Sequence, residues 1–528
     1  MPTKNRTRPP RAAGASSKPQ AAVGTWLREH RTDAALLLLA FVFFAVYLRF
    51  PLHKKYAHPL PYTAFACSAF AYLYAVTAYM AKRKKPTEQL FLALFIPLAL
   101  LFAVALPLGR VPDEQAHFQR SYALSQGQLF ATAAADGTAV YNLPSNIAKA
   151  WKINSRWSTM ALLNTFRLDD QLVETFAGAV PFYPPLSHLP QAIAIAIARL
   201  FTRNPLILGY AGRLLNLAVV TATLFFAIRY LPHGKTFLLA VCLMPVMLQE
   251  SMSLSADGTS FAFLCAMISF GMYWREQNRA MSLRAAALLC ALVLLLCSVK
   301  SLYCLFALLP LLLPKRAYPN ERKARTLLAA YGLTLVLMGV WLVLSRQTGA
   351  TAAVNEGANL REQLAYLLAS PLRYVKTLCY TVYSEIGWYW RSMFGAIISA
   401  ADIKHMELIA LGGFLCILAI AARDGGRPSA HDGIAAPRRA LSRENARVRW
   451  AYAALTGATL LVIFTAEYLQ WTPVGDDLII GVQGRYFIPL MLPLFLACKP
   501  FAREEAAFPL RAVQLETLCS LCAAMHCL

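Results

Sequence analysis

The run "LFLALFIPLALLFAVALPL" occupies Leu90 to Leu108, and "GRVPDEQAHFQR" follows it without a break from Gly109 to Arg120. A helix rises about 1.5 Å per residue and needs about twenty apolar residues to cross a hydrocarbon core roughly 30 Å thick. The first stretch therefore reads as a membrane span. The second places two acids, a histidine and an arginine at its end. Comparable apolar runs recur near 34–50, 62–81, 212–231, 259–274, 285–299, 302–314, 327–345, 406–422, 450–469 and 486–498.

The composition agrees, with 58% hydrophobic and 15% charged residues among 528 and a mean hydropathy of +0.47. These features point to an all-α polytopic membrane protein with about 11 to 13 transmembrane helices. Barrel strands alternate apolar and polar residues over roughly ten positions, whereas these runs are continuous and rich in Leu and Ala. No fixed-period repeat stands out.

The net charge of +24 is distributed in clusters. Seven Lys/Arg and one acid fall within residues 1–31, "KRKK" fills 82–85, five bases lie between Lys315 and Arg325, and seven arginines with three acids occupy 423–449. Bases flanking apolar runs mark cytoplasmic ends, and no aromatic-basic module accompanies them, so nucleic acid is not an expected partner. The basic, Pro- and Ser-containing N-terminus lacks a cleavage site for a signal peptide and is expected to be disordered to about Gly24. The expected organisation is a basic cytoplasmic tail (1–32), two N-terminal spans (33–86), a membrane domain (87–500) and a C-terminal tail (501–528). Most of the twelve cysteines lie in apolar runs and imply no disulfide framework. Cys519, Cys522, His526 and Cys527 approach metal-ligand spacing, but an apolar C-terminal helix is the simpler reading.

Alternating the spans from a cytoplasmic N-terminus puts the segment from Gly109 to about Val180 outside. It carries six acids and six bases and includes "WKINSRWS", which suggests short amphipathic helices on the outer leaflet. Arg275, Arg279 and Arg284 lie inside, so "SADG" (255–258) is also outside. Residues 183–201 then have no room to cross, and the prolines of "PFYPPLSHLP" point to a re-entrant or interfacial helix. A second outer segment, with "YSEIGWYWR", lies between Arg346 and His405, and a last one, "QWTPVGDDLIIGVQGR", precedes the final span.

The polar residues at these outer ends are the candidate site. Pro112 suits a first helical position, and Asp113 and Glu114 suit a first helical turn. Helical spacing also lines up Asp113, His117 and Arg120 along one face. A partly desolvated carboxylate can take a proton from a substrate hydroxyl. Asp257 in "SADG" is either an N-cap or a second functional acid. Lys300 in "CSVKSLY" is either a snorkelling lysine or an anion partner. Arg485 in "VQGRYFIPL" is either an interfacial anchor or a second cation, with Gly484 permitting close approach. Tyr303 and Tyr486 are grouped with these cations as substrate contacts. Carboxylates from early helices and cations from later ones make a constellation suited to deprotonating a hydroxyl beside a phosphate.

The stretches "PDEQAHFQRSYALSQGQ", "SLSADG", "KSLY" with "LLLP", and "QGRYFIPLMLP" resemble, in order, a bacterial family of membrane proteins known only as a domain of unknown function, itself similar to the GT-C glycosyltransferases. The resemblance covers roughly residues 90–498. It implies a GT-C-like core with a large first outer loop and a polyprenyl-phosphate-linked sugar donor, in the bacterial cytoplasmic membrane. Asp113 then matches the first-loop catalytic carboxylate, with Glu114 as neighbour or substitute, and Asp257 matches an acid of the second outer loop. The early loops hold no D-x-D; the paired acids elsewhere outside are Asp169/Asp170 and Asp476/Asp477, so Mg or Mn is an option and not a requirement. The expected activity is inverting glycosyl transfer to a glycan, lipid or protein acceptor. Asp113 would be the base, Glu114 and His117 would orient, Arg485 and Lys300 would hold the leaving phosphate, and Trp388 and Trp390 would stack on sugar or line the interface. The alternatives are a transporter or flippase, and a non-catalytic scaffold for envelope assembly.

Overall fold

In a computed structural model of the chain, the described residues are 59–135, 137–151, 156–178, 180–277, 279–318, 357–398, 401–402, 406–424, 441–498 and 509–527, with isolated positions at 38, 42 and between 329 and 355. The expected span at 34–50 apart from positions 38 and 42, the N-terminal tail, part of the span at 327–345 and the basic stretch 425–440 lie outside them. Contacts divide the chain into two compact units, Met1–Ala71 and Tyr72–Leu528, and apart from the first half of the helix Pro59–Lys82 the second carries everything that follows.

The apolar runs are helices: α1 Pro59–Lys82 and α2 Thr87–Ala105 come first. α2 turns Leu90, Phe91, Leu94, Phe95, Leu98 and Phe102 inward and leaves Ile96, Leu100 and Val104 exposed. That i, i+4 division is what a helix packed on one side and lipid-facing on the other requires.

The chain leaves α2 at Leu106–Pro107 and builds a small mixed unit: α3 Glu114–Ser125, β1 Thr132–Ala133, β2 Ala139–Pro144, α4 Arg156–Thr165 and β3 Leu172–Phe176. The strands form an antiparallel sheet in the order β1-β2-β3, with Val140 opposite Phe176 and Asn142 opposite Glu174. The all-α expectation thus holds for the long apolar runs and fails in this segment and at a second, two-stranded antiparallel sheet that pairs Ile397–Ile398 with Ala401–Asp402. In the "WKINSRWS" stretch Trp151 is buried on Phe118, with ring centroids 4.8 Å apart, and the short helix α4 begins at Arg156. Phe118, Tyr122, Tyr141, Leu143 and Ile147 complete that core.

Next come α5 Leu189–Arg199 and α6 Pro205–Tyr230. With 11 residues, α5 reaches about 16 Å and is too short to cross; it packs on α3 and α6. α7 Lys235–Leu243 and α8 Pro245–Met252 meet at 72°, because Pro245 lacks an N–H and its ring excludes a continuous helix. α9 Asp257–Glu276, α10 Leu283–Val299 and a 3₁₀ segment Ser301–Leu312 follow. Then come α11 Leu360–Ala369, α12 Pro371–Phe394, α13 Glu407–Arg423, α14 Leu441–Gln470, a 3₁₀ segment Gly484–Leu490 running into α15 Met491–Cys498, and α16 Leu510–Cys527. Leu510–Cys527 is a buried helix against α2 and α13, in line with the simpler reading of the Cys519–Cys527 stretch.

Among the described residues four helices are long and apolar enough to cross a bilayer, or five if the α7–α8 pair is one span. That is fewer than the 11 to 13 expected. Several of the expected runs fold as shorter pieces: Leu283–Val299, Ser301–Leu312 and Gly484–Cys498 each have fewer than 18 residues.

Candidate functional site

Two neighbouring acids have opposite fates. The helical turns of α3 begin at Glu114, and Asp113 precedes them in the left-handed region (φ 62°) without capping the helix. Pro112 therefore lies before the helix, not at its first position. Glu114 is fully buried and faces Arg213 of α6. Arg213 Nε donates to Oε1 at 2.7 Å and Nη2 to Oε2 at 2.7 Å. The Leu254 N–H adds 3.3 Å to Oε1, and the Gly109 N–H adds 2.8 Å to Oε2. Arg213 Nη1 also donates to Leu106 O at 2.7 Å, and Nη2 to Pro107 O at 3.2 Å, satisfying carbonyls that the end of α2 leaves open. Both oxygens of Glu114 are engaged twice, so the residue expected beside the catalytic base is the tie between α2, α6 and α3.

Asp113 turns the other way, onto Arg485 Nη2. Arg485 Nε lies 3.1 Å from Asp257 Oδ2, and Nη1 lies 3.6 Å from Glu250 Oε1. Lys300 Nζ donates to Asp257 Oδ1 at 2.5 Å and sits 4.0 Å from the centre of the Tyr486 ring, a cation–π contact. Tyr303 is buried and donates to Tyr486 O at 3.0 Å, fixing the segment that carries Arg485. Residues from four distant parts of the sequence thus meet in one cluster. The simpler alternatives fail here: Asp257 does not cap α9, Lys300 is 5% exposed and does not snorkel, and Arg485, 7% exposed, is no surface anchor.

Two glycines make this approach possible. A methyl group on Gly484 would stand 2.3 Å from Tyr389 O and 2.5 Å from Met393 N, so the backbone before Arg485 can lie on α12 only without a side chain. One on Gly258 would meet Glu250 O at 2.8 Å, where α9 leaves Asp257 against α8.

His117 is 6% exposed, and its Nδ1 lies 2.7 Å from Nε2 of His188. His188 Nδ1 lies 2.6 Å from Ser187 Oγ, which in turn donates to Pro184 O at 2.7 Å. Burial lowers His117 to about 4, the cations Arg485 and Lys300 act in the same sense, and the Asp113 and Asp257 carboxylates oppose them. Burial likewise holds His188 well below its ordinary value, with His117 and Arg120 acting in the same sense. Both rings are neutral near pH 7.

Arg120 does not enter the cluster. It is buried, donates to Leu129 O at 3.0 Å and stands over the Tyr141 ring at 5.4 Å, holding the mixed unit together. Trp390 packs on Phe394 and Phe414 with centroids 6.0 and 6.3 Å away, and Trp388 is 38% exposed on α12.

Sequence reading missed four contributors. Glu250 in "MLQESM" and Glu467 in "FTAEYLQ" are lone acids in apolar runs, a signal in themselves. His188 and Arg213 are legible only through their partners. With Glu250 and Glu467, four carboxylates stand against the two cations Lys300 and Arg485. Asp113, Asp257 and Glu250 are directed at those cations, and among the described residues no group of three or more His, Cys, Asp or Glu is disposed to hold a metal ion. The residues present therefore do not fit a divalent-cation site. Asp169 accepts from Ser145 at 2.6 Å, Asp170 pairs with Arg203 at 2.6 Å, and Asp477 lies 3.6 Å from Arg373, so the paired acids outside the cluster are loop ties.

No curated protein and no solved structure matches this chain. A family model does match, over residues 94–494, a range that contains all the cluster residues named above. On that match the chain belongs to the predicted membrane protein family DUF2142.

Proposed function

We propose that the chain is a membrane glycosyltransferase that moves a sugar from a polyprenyl-phosphate donor to a hydroxyl on the outer face of the bacterial cytoplasmic membrane. The core would be GT-C-like, with a cytoplasmic N-terminus and further crossings supplied by the shorter apolar helices. The observation carrying this reading is the convergence of Asp113, Asp257, Lys300 and Arg485. It brings an accessible carboxylate and two buried cations together.

The exposures suggest an order of events. The Asp113 side chain is 55% exposed and that of Arg485 6%. Asp113 is therefore the partner free to leave, and a donor phosphate entering from the bilayer would take its place on Arg485. Released, Asp113 becomes a free base. It takes the proton of the acceptor hydroxyl as that oxygen bonds to the anomeric carbon. The bond from that carbon to the phosphate oxygen breaks, and its electron pair leaves with the phosphate. The added charge rests against Arg485 and Lys300, fixed donors in a largely dry site. Glu114 has no part in this step, and the inverted configuration follows from direct displacement.

Asp113→Asn tests the reading in proteoliposomes supplied with a polyprenyl-phosphate sugar. Transfer should fall by about 10²–10⁴-fold with folding intact, and the variant should bind polyprenyl phosphate more tightly, because Arg485 no longer holds a carboxylate. Retained transfer removes Asp113 from the mechanism. Uptake of solute without a covalent product would favour a transporter instead.

A further inference from the structure

Away from the cluster, a cleft of about 340 Å³, counted to its open mouth, lies between α9, α10, the 3₁₀ segment Ser301–Leu312 and α14. That is within the range of roughly 300–1,000 Å³ typical of ligand sites. Its walls are apolar, with Met267 and Met272 from α9, Leu289 from α10 and Leu309 from the 3₁₀ segment. Among the described residues that line it, Arg275 is the one charged side chain, and it is only 6% exposed. Leu288, Leu308 and Leu311, next to the lining leucines in sequence, are exposed. Bare leucines of this kind belong against hydrocarbon and not against water.

The helices around the cleft lead to the charged cluster at their other ends. α9 starts at Asp257, in the cluster, and Arg275 lies in its last turn, about 27 Å further on at 1.5 Å per residue. α10 gives Leu289 to the cleft and ends at Lys300. α14, long and apolar enough to cross a bilayer, lines the cleft with Val448 and Tyr452 near its start. Near its end, Glu467 Oε2 would stand 2.7 Å from a methyl group on Gly481, close in sequence to Arg485. Cleft and cluster thus occupy opposite ends of the same helices. With the cluster outside, as proposed above, the cleft lies at the level of the inner leaflet.

This end of the helices is basic. Arg316 Nη2 donates to Arg275 O at 3.3 Å, the Met281 N–H donates to Ala317 O at 2.8 Å, and the Arg279 guanidinium stands 5.7 Å from the centre of the Trp274 ring. These contacts gather Arg275, Arg279, Lys315 and Arg316 at the end of α9. Glu276 among them lies with Oε1 2.6 Å from His233 Nε2. A basic pocket between apolar helices on the cytoplasmic side matches an anionic lipid head group, and a guanidinium can hold a phosphate through paired N–H donors.

We propose that the cleft binds one anionic phospholipid of the inner leaflet, with an acyl chain against Met267, Leu289 and Leu309 and the phosphate on Arg275. A zwitterionic lipid fits the same walls but brings an ammonium group into the basic end, so charge sets the preference. The site is separate from sugar transfer and does not depend on it.

The test is native mass spectrometry of the full chain released from detergent micelles, after titration with phosphatidylglycerol or phosphatidylcholine carrying the same acyl chains. One phosphatidylglycerol should be retained at concentrations where phosphatidylcholine is not. Arg275→Gln should weaken that retention by about 5-fold, the worth of one basic residue near an anionic lipid, and leave phosphatidylcholine unaffected. Gly271 also lines the cleft, and a methyl group there would meet nothing within 4 Å. Gly271→Leu should therefore fold, fill the cleft and weaken both lipids, which decides the matter if Arg275→Gln does not fold. Equal retention of the two lipids by the unaltered chain overturns the site. So does phosphatidylglycerol retention that Gly271→Leu leaves unchanged, or a stronger retention of polyprenyl phosphate that Arg275→Gln or Gly271→Leu abolishes.

Discussion

Asp113 and Glu114 are adjacent acids, and only the fold separates them. Glu114 is locked by Arg213 and two backbone N–H groups, whereas Asp113 holds one face of Arg485 and remains open to solvent. Their divergence was not legible locally, because Arg213 stands 99 residues from Glu114 and the left-handed backbone at Asp113 sets the direction of both. The cluster itself was legible, since Asp113, Asp257, Lys300 and Arg485 each stand out as ionisable residues at the edge of an apolar run. Arg213→Met should leave a buried, unpaired carboxylate and lower stability by about 3–5 kcal/mol; Glu114→Gln in the same chain should recover part of the loss. Thermal unfolding of the detergent-solubilised protein reads both.

His117 and His188 predict a pH dependence. Each is lowered in the folded state from the ordinary value near 6.5, His117 to about 4. Between those values the unfolded chain binds the extra protons, so stability is complete above about pH 6.5 and falls as the pH drops towards 4. The charged groups acting on His117 are Asp113, Asp257, Arg485 and Lys300, and on His188 Arg120. His117→Gln with His188→Asn should flatten the loss in unfolding measured from pH 7 to 5. An unchanged slope would assign it to other groups.

The helices were read from apolar runs, and most appear near the expected positions, because a run of about twenty apolar residues in a bilayer has no other way to satisfy its backbone. The sheet was missed, since "AVYNLP" finds its partner "LVETF" only across an intervening helix, and nothing in the local pattern announces such pairing. Gly484 and Gly258 are the positions where an element depends on a missing side chain. Gly484→Ala should destabilise by about 1–3 kcal/mol or more, because both nearest atoms on α12 are backbone and cannot yield. The exposed Gly387 on the same helix has nothing within 4 Å, and Gly387→Ala should be neutral or stabilise by up to about 1 kcal/mol. Equal effects from the two would show that the 484–490 segment does not lie against α12.

At the scale of the whole molecule, Asp113 and Arg485 are 372 residues apart and in contact, so one charged cluster ties the first loop to the last apolar segment. Family membership extends over 94–494 and says nothing about chemistry; the chemical reading rests on the cluster. The proposed topology puts that cluster outside. Alkaline phosphatase fused after Gly127 should be active, and fused after Lys85 inactive; the reverse pattern would place the cluster in the cytoplasm and remove access to an outer acceptor.

The most direct measurement is a structure of the full chain with polyprenyl phosphate bound. The account predicts the phosphate between Arg485 and Lys300, with Asp113 released from Arg485. A phosphate bound elsewhere, or one bound while Asp113 keeps its contact with Arg485, would contradict it.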